Sequence, residues 1–244
     1  MARAGVRAGG AARVLHCLRH GRTEMNEYLA EHPWDAPDFR DPLLYDTRLT
    51  AAGEAQARRA RARVQGLTQG PYPPDVIVCS PLTRALRTME LAFADVLAEV
   101  PVVVTHLGAE RVYHSSDIGV LRSELEERFP SYDFEGLPPG PWWYRGGQAA
   151  GVSGAGERGV EAGGGGAAEG AGGWDVVREP GPDFLDRMRR FKEFLRERPE
   201  KRIAYVGHWA VLYALTGYDF DNCELVSTKL DELVDFDDLD PDFA

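Results

Sequence analysis

The chain of 244 residues contains only three cysteines, Cys17, Cys79 and Cys223. They are too few and too widely separated for a disulfide framework, and no two have the close spacing of a metal site. Cys17 and Cys79 lie inside apolar runs, where a thiol behaves as a small hydrophobe, so all three are expected to be core residues and none a nucleophile. A reducing compartment fits this usage, with a cytoplasmic location as the expectation. Long apolar runs are also missing. Nothing approaches the roughly 20 residues of a membrane helix, and the first 13 residues lack the apolar segment of a secretory signal. Those residues carry Arg3, Arg7 and Arg13 with no acid and no serine. A frayed tail over 1–12 is the preferred reading, with organelle import as the alternative. Basic charge is scarce as well. The formal net charge is −11, and from residue 231 onward there are seven acids and no base. Nothing in this charge pattern suggests a nucleic-acid footprint, and it predicts a solvated, mobile acidic tail over 231–244.

What is present is the balance of an ordinary globular protein, 43% apolar and 27% charged, enough for one full core. Four short runs rich in β-branched and aliphatic residues, 14–18, 76–79, 100–105 and 203–206, read as strands covered on both faces. Helical patterns lie between them. One spans 50–67 with Thr50 as N-cap. A second starts at Ser80 as cap with Pro81 in the first turn, and Leu82, Leu86, Met89 and Phe93 form its core stripe. A third covers 183–198 with Phe184, Met188, Phe191 and Leu195 on one face, ended by Pro199. Strands alternating with such helices predict an α/β fold, a three-layer α/β/α sandwich on a mostly parallel central sheet. Its working residues then sit beyond the carboxyl ends of the strands. The pattern breaks at 146–173, where 13 of 28 residues are glycine. That stretch has few side chains to pack and matches no GxxxxGK[ST] phosphate loop, so it reads as a disordered insertion in a domain covering 13–230.

Each strand is followed by a candidate. After the first come Arg19, His20, Gly21, Arg22, Thr23 and Asn26, a cation, an imidazole, a flexible glycine, a hydroxyl and an amide, all able to address a phosphate. A neutral imidazole can attack phosphorus, and neighbouring guanidinium groups both hold it neutral and grip phosphoryl oxygens bidentately. After the second comes Ser80-Pro81-Leu82-Thr83-Arg84-Ala85-Leu86-Arg87-Thr88, which places Arg84 near a helix N-terminus, itself suited to an anion. The third delivers Glu110 and the fourth Gly207-His208-Trp209. Singly each signal is weak; together, in this order and each behind a strand, they are not.

In Arg-His-Gly, Ser-Pro-Leu-x-Arg-Ala-x-x-Thr and Val-Gly-His the sequence resembles the histidine phosphatase superfamily. It looks most similar to the phosphoglycerate-mutase-like proteins of plants and algae, through 41–46, 116–119, Trp142-Trp143-Tyr144 and Asn222-Cys223-Glu224. The resemblance implies His20 as phosphohistidine nucleophile and Glu110 as proton donor. It implies Arg19, Arg84 and His208 as the phosphate pocket, with Asn26 and Thr23 as further contacts, and no metal or other cofactor. Glu124, Glu126 and Asp117 are the alternative acids. The implied partner is a small phosphorylated substrate, with no nucleic acid or membrane, and the chain is a monomer or homodimer. Mutases of the superfamily carry a Trp-Arg-Arg-Ser-Tyr stretch that this chain lacks. The Trp142 to Tyr144 cluster reads instead as an apolar lid over a hydrolytic pocket. A phosphatase is therefore expected, with mutase-type transfer and a non-catalytic phosphate-binding module as alternatives. Two departures stand out. Arg22 adds positive charge at the pocket mouth, favouring a more anionic substrate. Trp209 narrows the pocket, stacks on a substrate ring, or packs on the sheet.

Overall fold

A computed structural model describes residues 13–71, 73–146 and 175–236. Five strands form one sheet: β1 (Val14–Arg19), β2 (Val76–Cys79), β3 (Val102–Val104), β4 (Arg202–Gly207) and β5 (Leu225–Lys229). Their spatial order is β3-β2-β4-β1-β5, parallel except for β5, which runs antiparallel along β1. The helices are α1 (Glu24–Glu31), α2 (Ala51–Thr68), α3 (Thr83–Ala92), α4 (Arg122–Arg128), α5 (Gly181–Glu197) and α6 (Trp209–Thr216).

Alternation along the strands divides the core in two. Leu18, Ile77, Cys79, Ala204 and Val206 face the side covered by α2 and α3. Leu15, Cys17, Val76, Val78, Ile203 and Tyr205 face α5 and α6. This is the three-layer α/β/α arrangement, and both faces are apolar because both are covered. Met188, Phe191 and Leu195 are fully buried on α5, each contributing about 1.5–3 kcal/mol by leaving water. All three cysteines are buried. None of the helices is long and apolar enough to cross a membrane, among the described residues.

Two expectations are corrected. The helix after β2 begins at Thr83, not Ser80. Its N-terminus is capped from a distant loop, where the Asp46 carboxylate accepts the Thr83 N–H at 2.9 Å and the Thr83 hydroxyl. A buried carboxylate at a helix N-terminus meets both the open N–H groups and the dipole. Arg13, the first described residue, is tied to the domain. Its guanidinium donates to the carbonyls of Leu195, Arg196, Arg198 and Glu200 and so closes the C-terminal end of α5. The acidic segment is not free from residue 231, because Leu233 and Phe236 are buried and Lys192 Nζ donates to the Val234 carbonyl at 2.6 Å. Two apolar residues among the acids outweigh the charge and extend the packed chain to 236. Residues 1–12, 72, 147–174 and 237–244 lie outside the described residues, and with them the expected N-terminal tail and all but residue 146 of the glycine-rich stretch.

Candidate active site

Sheet order alone brings the candidates together. In the β1·β4 register Arg19 stands opposite Gly207, and the His20 N–H donates to the Gly207 carbonyl at 2.9 Å. The residues just beyond these strands, His20 and His208, therefore meet with ring centroids 5.2 Å apart. On the other side of β4 the Ser80 N–H donates to the Val206 carbonyl, which places the end of β2 beside His208. From β3 a short 3₁₀ turn over His106–Gly108 carries the chain to Glu110.

The motif glycine has a packing reason. A Cβ on Gly21 would lie 2.6 Å from the carbonyl oxygen of Gly53, and one on Gly53 would lie 1.9 Å from that of Arg22. Two backbones touch where α2 meets the His20 loop, and only glycine on each side allows it. The Gly21 N–H donates to Thr88 Oγ1 at 3.0 Å, so the last threonine of the Ser80 to Thr88 motif also secures this loop. From the far side the Asn222 side chain donates to the His20 carbonyl at 3.0 Å. The Cys223 N–H is shared by the carbonyls of Arg19 and His20. Cys223 has φ of 59°, a left-handed conformation that costs a non-glycine residue about 1–2 kcal/mol and is held by its surroundings.

A cavity of about 200 Å³ opens here, lined among others by Arg19, His20, Thr23, Asn26, Arg84, Glu110 and Trp209. His20 Nδ1 donates to the Gly21 carbonyl at 2.8 Å. Burial, together with Arg84 and Arg19, holds this imidazole well below its usual pKa. The ring is therefore neutral, its proton is on Nδ1, and Nε2 keeps a lone pair. His208 is fully buried against it and is likewise pushed down by burial and Arg84. Glu110 accepts N–H groups from Arg111 and Ala210 at 2.9 and 3.4 Å. Burial, with Asp117 nearby, raises it to about 7, which makes it a carboxyl able to give and take a proton near neutrality.

The other acids separate cleanly. Glu124 and Glu126 pair with Arg128 and Arg122 on exposed α4. Asp117 is spent on Arg84, whose Nη2 reaches Oδ1 at 2.9 Å while Nη1 donates to the Ser116 carbonyl at 2.5 Å. Its second oxygen accepts the N–H groups of Tyr113 and His114. Asp117 thus aims the clamp, a role that no residue spacing announces. Arg187 was also unanticipated. It is paired with buried Glu179 at 2.6 Å and donates to the carbonyls of Leu107 and Ala109, fixing the turn that presents Glu110. Thr23 and Asn26 form a capping box on α1, each side chain accepting the other's N–H at 3.1 Å. Their acceptors serve the helix, and both residues line the cavity.

Arg22 lies outside the cavity lining and pairs with Glu27 at 3.5 Å. Trp209 does line the cavity, with its indole N–H on Asp219 at 2.6 Å and its ring stacked on Tyr213. The expected lid is instead core. Trp142 and Trp143 are buried and the Trp142 indole donates to the Val120 carbonyl at 2.8 Å.

Comparison with known proteins bears on the family and the fold. The profile of the histidine phosphatase superfamily (branch 1) matches residues 15–135. A probable phosphatase of Schizosaccharomyces pombe is 28% identical over 131 residues, 51% of this chain and 53% of that protein. The match thus spans about half the length of that curated relative. The crystal structure of the alpha-ribazole phosphatase from Shigella flexneri has a TM-score of 0.51 at 18% identity, covering 88% of this chain and 89% of that one. A candidate alpha-ribazole-5'-P phosphatase from Escherichia coli K-12 gives 0.50 at 20% identity over 90% and 91%. At that identity the two structures speak for the fold. The profile, the fold and the residues gathered beyond the sheet together make this chain a member of the histidine phosphatase superfamily.

Proposed function

We propose that the chain is a phosphatase that hydrolyses a small phosphate monoester through a phosphohistidine on His20. The observation that carries this is the pairing of a neutral His20, its Nδ1 tied to Gly21, with a half-buried Glu110 raised to about 7 across one small cavity. In the first step His20 Nε2 attacks phosphorus, the bond to the leaving oxygen breaks, and Glu110 gives that oxygen its proton. In the second, water attacks phosphorus, its proton returns to Glu110, the P–N bond breaks, and inorganic phosphate and neutral His20 are released. Arg19 and Arg84 bind the equatorial oxygens, with donors from Thr23, Asn26 and His208 completing the cradle. The names of the relatives, a probable phosphatase and an alpha-ribazole phosphatase, support hydrolysis over transfer. So does the absence from the sequence of the mutase Trp-Arg-Arg-Ser-Tyr stretch.

The test is hydrolysis of para-nitrophenyl phosphate without added metal, across about pH 5 to 8. Turnover by the wild type that vanishes in His20→Ala is expected. A folded wild type inactive throughout that range on this ester and on alkyl phosphates contradicts the reading.

A further inference from the structure

Ser80 is fully buried at the end of β2, and its hydroxyl does not cap α3. It has two polar neighbours among the described residues. The Leu82 N–H lies at 3.3 Å and Nε2 of His208 at 2.7 Å. The Leu82 N–H can only donate, so it occupies a lone pair on the serine oxygen. The serine hydrogen then has one acceptor within reach, Nε2 of His208. A neutral ring that accepts at Nε2 carries its proton on Nδ1, and Nδ1 is buried without a partner among the described residues.

From this geometry we infer that Ser80 is a positioning residue that fixes His208 in its Nδ1–H tautomer, making the ring a donor to the phosphoryl group held by His20. The opposite tautomer leaves two groups wrong at once. The serine oxygen would take two donors while its own hydrogen found no acceptor. A bare Nδ1 lone pair would be the group left to meet an anionic oxygen, which repels it. The serine of the Ser-Pro-Leu-x-Arg-Ala stretch is thereby assigned a chemical task rather than a capping one. The inference rests on the phosphatase reading for its catalytic consequence, but the tautomer itself does not depend on turnover.

Long-range ¹H–¹⁵N spectra of histidine-labelled protein read the tautomer, with the His208 signals assigned by their loss in His208→Asn. Wild type is expected to show His208 protonated at Nδ1, and Ser80→Ala to show a mixture or the Nε2–H form. Ser80→Thr, which keeps the hydroxyl, should restore Nδ1–H. In kinetics Ser80→Ala should lower kcat by about 10- to 100-fold, less than loss of the donor itself. In a His208→Asn background, where a fixed amide replaces the ring and no tautomer exists, the same change should cost nothing further. Wild-type His208 protonated at Nε2, or an equal loss from Ser80→Ala in both backgrounds, overturns the assignment. An inactive wild type with Nδ1–H His208 would sink the phosphatase reading and leave the tautomer standing.

Discussion

The two ends of the sheet treat charge in opposite ways. At the amino end Asp75, just before β2, accepts the backbone N–H groups of Lys201 and Arg202 and pairs with the Arg202 guanidinium, while Arg13 satisfies four carbonyls. The hydrogen bonds from Arg202 hold the Asp75 carboxyl below its ordinary range, so folding favours its charged form. At the carboxyl end the shifts run the other way. His20 and His208 are pushed well below the usual imidazole value by burial, and Glu110 is pushed up to about 7 by the same cause. Each of these makes the charged form harder to hold in the folded chain. Charges at one end find their partners on folding. At the other, Arg84 has Asp117, but burial disfavours the charged forms of His20, His208 and Glu110.

Linkage gives the contrast a sign. Asp75, with a lowered pKa, adds stability above its unfolded value that is lost as pH falls. Glu110, with a raised pKa, binds its proton more tightly when folded, so stability declines as pH rises from 4.5 to about 7 and is level beyond. The two histidines, neutral when folded, draw stability down as pH falls below about 6.5.

Four substitutions probe the comparison. His20→Ala should reduce turnover by at least about 10⁴-fold while the protein stays folded, measured by steady-state kinetics and thermal melting. Arg187→Ala leaves Glu179 buried without its cation and should destabilise by about 3–5 kcal/mol in denaturant titration, with activity lost as the Glu110 turn loosens. Glu110→Gln should slow hydrolysis by about 10²- to 10³-fold on an alkyl phosphate and less on a nitrophenyl ester, whose leaving group needs little proton assistance. It should also abolish the fall in kcat/KM above about pH 7 and raise stability at about pH 8 by about 1–3 kcal/mol, a gain that shrinks towards acid pH. A Glu110→Gln variant less stable than wild type at that pH would break the comparison. Asp75→Asn should do the reverse on a smaller scale, costing less than about 1 kcal/mol near neutrality, a cost that shrinks only as pH falls below about 4 towards the lowered folded value, with kcat unchanged.

Much of this was legible in the sequence, for physical reasons. β1, β2 and β4 are buried on both faces, so their apolar runs are continuous. His20, Arg84, Glu110 and His208 follow strands because a parallel sheet gathers what lies beyond its carboxyl ends. β5 escaped notice because it is an edge strand with mixed, half-exposed residues, Leu225-Val226-Ser227-Thr228-Lys229. The start of α3 was misplaced because its cap, Asp46, is 37 residues away. The tryptophan pair suggested a lid because its composition suits either an exposed cover or a core, and only the Val120 carbonyl and the packing decide. Asp117 and Arg187 act on a clamp and a turn through long-range contacts, which leave no local spacing to read. The acid run after residue 230 hid Leu233 and Phe236, whose burial outweighs it.

The central claim is the covalent intermediate. The direct measurement is mass spectrometry of the peptide containing His20 after brief mixing with a phosphate ester and quenching in base, where a phosphohistidine survives. The account predicts one added phosphoryl group on His20 that disappears on continued incubation as inorganic phosphate appears. Turnover with no phosphoryl on His20, or with the label on another residue, would contradict it.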